Sequence, residues 1–237
     1  MKNKFLLAAV FVIVIAASSL ACFDAYLFLE KRPLTYAAQQ FSIDSIGEYA
    51  MTEMQDPTQD AFLFKSTAYY GFSDTFTGKF GIVSDEKPRG EFKFDVMELG
   101  LMKAFKLNQI LSLTPILDAA SDFNFKSLSA ESSLSMLWYL GSVTVNIHPG
   151  LAYEDSQSEG SAFSGGGHAG VFYSFANKAL AGIGTEYFNT EWASSIFLGA
   201  HLGDRFYMQT EILKGLANSK DAMLAFTIKY FTNAHIH

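Results

Sequence analysis

The chain has 237 residues, a net charge of −7 from 17 basic and 24 acidic side chains, one cysteine, and 15% aromatic residues. An acidic balance with no basic cluster argues against nucleic-acid binding. A single cysteine excludes an intrachain disulfide and a cysteine-based zinc site.

Reading begins at Lys2 and Lys4, which precede thirteen apolar residues from Phe5 to Ala17, followed by Ser18, Ser19, Leu20, Ala21 and Cys22. The apolar run is too short for a membrane helix, which needs roughly 20 residues, and small residues at positions 19 and 21 suit cleavage after Ala21. Residues 1–21 are therefore expected to be a signal peptide, whose loss takes the charge from −7 to −9 by removing Lys2 and Lys4. Ser19-Leu20-Ala21-Cys22 resembles a lipobox, with Ser at the position where an aliphatic residue is preferred. Cys22 is accordingly a lipidation candidate, the alternative being an ordinary cleavage site that happens to precede a cysteine. Beyond it no apolar stretch reaches 18 residues, so a membrane would have to be crossed by strands.

Residues 22–44 carry Glu30-Lys31-Arg32-Pro33 and Ala37-Ala38-Gln39-Gln40 and lack strand alternation. They read as a periplasmic N-terminal arm that lies against a barrel mouth, enters the lumen as a plug, or serves as a plain tether. From Ser45 onward, segments of about ten residues alternate apolar with polar or small residues, the period of a half-buried strand. The clearest is 142–154, where Val143, Val145, Ile147, Leu151 and Tyr153 alternate with Ser142, Thr144, Asn146, His148, Gly150, Ala152 and Glu154.

Twelve strands are expected near 45–54, 61–72, 75–83, 90–102, 108–117, 127–140, 142–154, 166–176, 179–189, 194–202, 206–216 and 222–231. Long connections, among them 55–60, 84–89, 118–126 and 155–165, alternate with tight turns such as Ser73-Asp74, Leu140-Gly141 and Asn177-Lys178. An even strand count with that alternation puts both termini on one side. A soluble β-sandwich also yields short alternating strands. Here, however, one face carries large aromatics while the other is small, with Gly182, Gly184, Gly199, Ala169 and Ala152, which suits a barrel in lipid better. The expected fold is all-β: a closed antiparallel transmembrane β-barrel of about 12 strands over residues 45–231, with 232–237 as a C-terminal tail.

The signal peptide, the alternating connections and a last strand ending in Phe226, Ile228, Tyr230 and Phe231 resemble bacterial outer-membrane β-barrel proteins as a class. The resemblance implies the outer membrane of a Gram-negative-type bacterium, contact with its lipids, insertion by the outer-membrane assembly machinery, and a possible protein partner or oligomer. Many members end on the aromatic residue that this machinery reads; here Thr232 to His237 follow it, so an internal signal at 224–231 is expected to serve.

If the apolar face meets lipid, Lys65, Lys79 and Lys93 point inward on strands two to four, with Glu154, Glu186 and Glu211 on the opposite wall. His148 and Lys229 complete the expected pore lining. Opposed rows of charge would set up a field across the lumen that selects among charged solutes. The bland alternative is neighbour pairing, for instance Glu48 with Lys229 across the closing seam. With 155–165 as a loop, His148 and His168 stand four residues apart in height, roughly 13 Å at about 3.3 Å per residue, too far for a shared metal. His201 lies near the periplasmic end, and His235 and His237 form too weak a donor set. No metal site and no cofactor are expected. Gly165-Gly166-Gly167 lacks the strand-to-helix setting of a phosphate loop and reads as part of a flexible outer loop. Ser174 with His148 is the best available pair for a lipid hydrolase, and a poor one. The expected function is a narrow passive, porin-like channel for small solutes, not an enzyme. The alternatives are a non-catalytic structural or partner-binding barrel and, third, a lipid-modifying enzyme.

Overall fold

In a computed structural model, the described residues are 35–51, 61–84, 87–88, 94–156, 160–175, 179–188, 191–203, 205–215 and 222–232. Twelve long strands run β1 Phe41–Met51, β2 Ala61–Ser73, β3 Phe76–Ser84, β4 Phe94–Lys103, β5 Leu111–Asp122, β6 Ser127–Leu140, β7 Val143–Ser156, β8 Gly160–Phe175, β9 Ala179–Phe188, β10 Glu191–Leu202, β11 Phe206–Gly215 and β12 Ala222–Phe231. Each pairs antiparallel with its chain neighbour, and β1 pairs with both β2 and β12, so the sheet closes on itself. Two short segments add to it: Lys87–Pro88 pairs with β2, and Phe105–Lys106 pairs with β5. Closure leaves no strand edge unpaired, which is what a sheet needs where no water can satisfy its backbone.

The alternation read from the sequence decides which side each residue faces. In β12, Leu224, Phe226 and Ile228 are exposed while Ala225, Thr227, Lys229 and Phe231 are buried. In β7, Ile147 is exposed, Val143 and Val145 are half-buried, and Thr144, Asn146 and His148 are buried. The exposed side is strongly apolar: Ile196, Leu198 and Ile212 are 63%, 62% and 58% exposed. Only contact with lipid makes such a surface stable. Aromatic clusters mark its two borders: Tyr70, Phe72 and Phe76, with Phe206 and Tyr230, toward the chain termini, and Tyr187 with Trp192 and Tyr153 with Phe163 at the other end.

Several expectations need correcting. The first strand starts at Phe41, not 45, because Thr232 and Phe41 extend the closing seam: Thr232 N and Oγ1 both lie 3.0 Å from the Phe41 carbonyl oxygen. The alternation of connection lengths is only partial. At the end away from the termini the connections are 52–60, 85–93, 123–126, 157–159, 189–190 and 216–221; at the terminal end they are 74–75, 104–110, 141–142, 176–178 and 203–205. The expected 155–165 loop is mostly strand, because β7 and β8 continue to Ser156 and Gly160, with Gly165, Gly166 and Gly167 opposite Leu151, Gly150 and Pro149. Glycine suits this stretch because Pro149 and Gly167 pack closely: a Cβ on Gly167 would stand 2.6 Å from the His148 carbonyl oxygen and 2.9 Å from Pro149 Cα. Ala169 faces outward, opposite Ile147 and Thr185, and so does not belong to the small inward face.

The inner face is not uniformly polar. Toward the terminal end, Tyr69, Met102, Ile116, Leu137, Phe172, Phe197, Tyr207 and Phe231 form one buried cluster with Ile46. Tyr36, from the chain before β1, joins them. The small inward residues exist to accommodate these rings: a Cβ on Gly182 would collide with Phe197 and approach Phe172 Cβ to 2.7 Å, and one on Gly199 would collide with the Tyr207 hydroxyl.

Candidate functional site in the barrel lumen

Ionisable side chains form a belt inside the barrel that borders and interleaves with the apolar cluster: Lys65 stands opposite Ile46, Lys79 opposite Tyr69 and Glu211 opposite Phe197. Lys65 and Lys79 point inward as expected, each 6% exposed. They do not form a free basic strip. Lys65 Nζ stands 2.8 Å from Glu98 Oε2, and Lys79 Nζ 2.8 Å from Asp118 Oδ2.

Both ion pairs reach over an intervening strand. Lys79 on β3 and Asp118 on β5 both stand opposite Gly100 of β4. A Cβ there would collide with Asp118 Oδ1 and stand 2.5 Å from Lys79 Cε. Lys65 on β2 and Glu98 on β4 likewise pass over β3 at Gly81, where a Cβ would stand 3.2 Å from Glu98 Oε2. The two glycines thus leave the floor on which the ion pairs lie. Lys65, Lys79, Glu98, Asp118, Glu131 and His148 line a polar cavity of about 90 Å³.

Lys229 faces inward, and its partner is Asp44, not Glu48. The two residues are opposite in register across the β1–β12 seam, with Nζ 3.2 Å from Asp44 Oδ2. Glu48 and Glu211 are buried on either side of Ala225, which pairs with both. Glu186, half-buried on β9, lies within electrostatic range of Glu48 and Glu211. Glu154 has the inward alternation but is exposed at the rim. Lys93, Cys22, His235 and His237 lie outside the described residues. Among the described residues, three inward lysines, Lys65, Lys79 and Lys229, stand against eight inward acidic side chains, Asp44, Glu48, Glu98, Asp118, Glu131, Glu154, Glu186 and Glu211, so the lumen carries an acidic excess by count.

The histidines correct the sequence estimate most sharply. His148 and His168 are directly opposite in register, both buried, with ring centroids 4.9 Å apart. The expected offset of four residues came from treating 155–165 as unpaired. Glu186 is opposite His168 on its other side. No group of three or more His, Cys, Asp or Glu able to hold a metal occurs among the described residues. Ser174 donates its amide to the Ser142 carbonyl and sits six residues along β8 from the residue opposite His148. At about 3.3 Å per residue that is roughly 20 Å, so the two cannot act as nucleophile and base. His201 is near the terminal end as expected, with its ring 5.0 Å from that of Tyr207.

Sequence reading missed Glu98, Asp118 and Asp44 as partners. A usable signal existed in Gly81 and Gly100, each an inward glycine between strands carrying opposite charges. A small inward residue permits its two neighbouring strands to exchange side-chain contacts directly.

No family model matches the chain, and no curated protein matches it. Solved structures do. A KdgM porin, in a complex described as holding disordered oligogalacturonate, superposes with a TM-score of 0.64 at 12% identity, over 83% of this chain and 99% of that one. The COG4313 outer membrane channel from Pseudomonas putida F1 gives 0.62 at 10% identity, over 90% of this chain and all of that one. A NanC porin gives 0.58 at 12% identity, over 81% of this chain and all of that one. The fold of this chain is that of bacterial outer-membrane porins and channels.

Proposed function

We propose that this protein is a narrow passive channel of the outer membrane of a Gram-negative-type bacterium, with a preference for cations or cationic small solutes. The belt of inward ionisable residues carries this reading. A barrel kept only as a scaffold is stabilised by apolar filling, whereas charges removed from water are costly and mark a path for ions or polar solutes. The acidic excess supplies the sign, since rings of carboxylates favour cations. The likeness to porins and channels agrees with transport. The pair that the sequence offered for a lipid hydrolase, Ser174 and His148, is too far apart to act, and we read the protein as non-enzymatic. Outer-membrane lipids would contact the apolar band, insertion would fall to the outer-membrane assembly machinery, and a protein partner or oligomer remains compatible with the outer surface.

Conductance and reversal potential in planar bilayers under a salt gradient test the reading. A cation-selective reversal potential is expected, and Glu48→Gln, Glu186→Gln and Glu211→Gln together should move it toward zero. Anion selectivity would overturn the assigned sign; absence of conductance from folded protein would overturn the channel. The second reading, a barrel that binds a partner without conducting, is favoured by the apolar packing of the terminal half of the lumen.

A further inference from the structure

Residues 35–40, which precede β1, fold back against the barrel mouth. Residues 37–40 form a tight turn, in which Gln40 N donates to the Ala37 carbonyl at 3.0 Å and Gln39 takes a φ of 63°. The turn is fastened to the β2–β3 hairpin: Gln39 N donates to the Gly71 carbonyl at 2.8 Å, Gly71 N to the Gln40 carbonyl at 2.9 Å, and Ala38 N to Asp74 Oδ1 at 3.0 Å. It throws Tyr36 back into the lumen. Tyr36 N donates to Thr77 Oγ1 at 2.8 Å, and the residue is only 6% exposed.

Inside, the Tyr36 ring packs 5.3 Å from Tyr69 and 6.3 Å from Phe231. Lys229 Nζ donates to its hydroxyl at 2.9 Å and also lies 5.5 Å and 5.6 Å from the Tyr36 and Tyr69 ring centroids. The ammonium that closes the seam with Asp44 therefore also holds the ring. Tyr69, Phe231 and Lys229, which face Tyr36, all belong to the barrel wall. The ring's hydrogen bond and its two ring neighbours tie it to β2 and β12 from one side of a single flexible side chain.

Resting on the channel reading, we propose that Tyr36 is a stopper: the strap of residues 35–40 holds it in the terminal mouth of the lumen, and its withdrawal opens the path that the charged belt lines. The strap suits this role because backbone hydrogen bonds fasten the turn itself, so that the Tyr36 side chain can swing without the turn moving. Gly71 provides the close approach that makes the fastening possible, since a Cβ there would collide with the Ala37 carbonyl oxygen and stand 2.7 Å from that of Tyr36.

Single-channel recording of the full-length protein tests this with three variants, each first shown to fold by heat-dependent gel mobility and a β-type circular dichroism spectrum. Tyr36→Ala should hold the channel open, raising the fraction of time spent open with little change in the conductance of the open state. Tyr36→Phe keeps the ring and removes the hydrogen bond from Lys229, and it should raise the ratio of open to closed time about tenfold, the shift that a charged hydrogen bond of ~1.4 kcal/mol produces. Gly71→Ala leaves Tyr36 intact but displaces the strap, and should resemble Tyr36→Ala. If the unaltered protein conducts and neither Tyr36→Ala nor Gly71→Ala changes conductance or open time, the stopper is refuted while the channel stands. If folded wild type and folded Tyr36→Ala are both silent, channel and stopper fall together.

Discussion

The two halves of the lumen solve the problem of filling a barrel in opposite ways. Toward the termini, Phe172, Phe197, Tyr207 and Phe231 pack with Tyr69 and Leu137 as a core turned inside out, with inward glycines leaving room for the rings. Bordering that core, Lys65 opposite Ile46 and Lys79 opposite Tyr69 occupy inward positions with their acidic partners, and inward glycines leave room for ion pairs instead. The same device, a glycine facing the lumen with large side chains crossing over it, thus serves shape complementarity in one half and electrostatics in the other. The difference teaches where stability and selectivity reside. Apolar packing stabilises without specifying a solute, while charge pairs contribute little net stability and set a field.

The comparison can be broken by substitution. Phe172→Ala should cost about 3–5 kcal/mol in urea unfolding from lipid vesicles, because it empties a packed site that is 1% exposed. Lys79→Met alone should cost a similar ~3–5 kcal/mol by stranding the Asp118 carboxylate. If the two halves differ as argued, adding Asp118→Leu should recover most of that loss, whereas no second apolar truncation rescues Phe172→Ala. A double variant as unstable as the single one would mean that the ion pair is itself a principal support. Buried and paired, Lys65 and Lys79 are not solvated charges, so neutralising either one alone is costly.

The outer surface offers a milder test of position along the same axis. Ile196 lies mid-strand in β10, opposite Ile183 and Ile212, so Ile196→Arg should cost about 2–4 kcal/mol. Val145 is close to the terminal end of β7, opposite Val171 and Trp138, and Val145→Arg should cost only about 0–1 kcal/mol. Equal costs in refolding titrations would contradict the band's placement. The smallest effect is expected at the rim, where Glu154 is exposed: Glu154→Gln should leave the reversal potential nearly unchanged, in contrast to the combined Glu48, Glu186 and Glu211 replacement.

The sequence by itself determined the strands, their number and the direction of nearly every side chain. In β12, for example, Leu224 and Phe226 outside with Thr227 and Lys229 inside follow from local period-two alternation, which needs no knowledge of the partner strand. It did not determine who stands opposite whom. The Gly- and Ser-rich stretch before His168 has the composition of a loop, yet strand pairing through it brings His168 level with His148. Lys229 likewise meets Asp44 because closure of the ring aligns β1 with β12, two segments at opposite ends of the chain. Register, the ion pairs that bridge over Gly81 and Gly100, and the insertion of Tyr36 were decided only by the tertiary structure. The physical reason is that alternation is written residue by residue, whereas the stagger between strands is a property of the closed barrel as a whole.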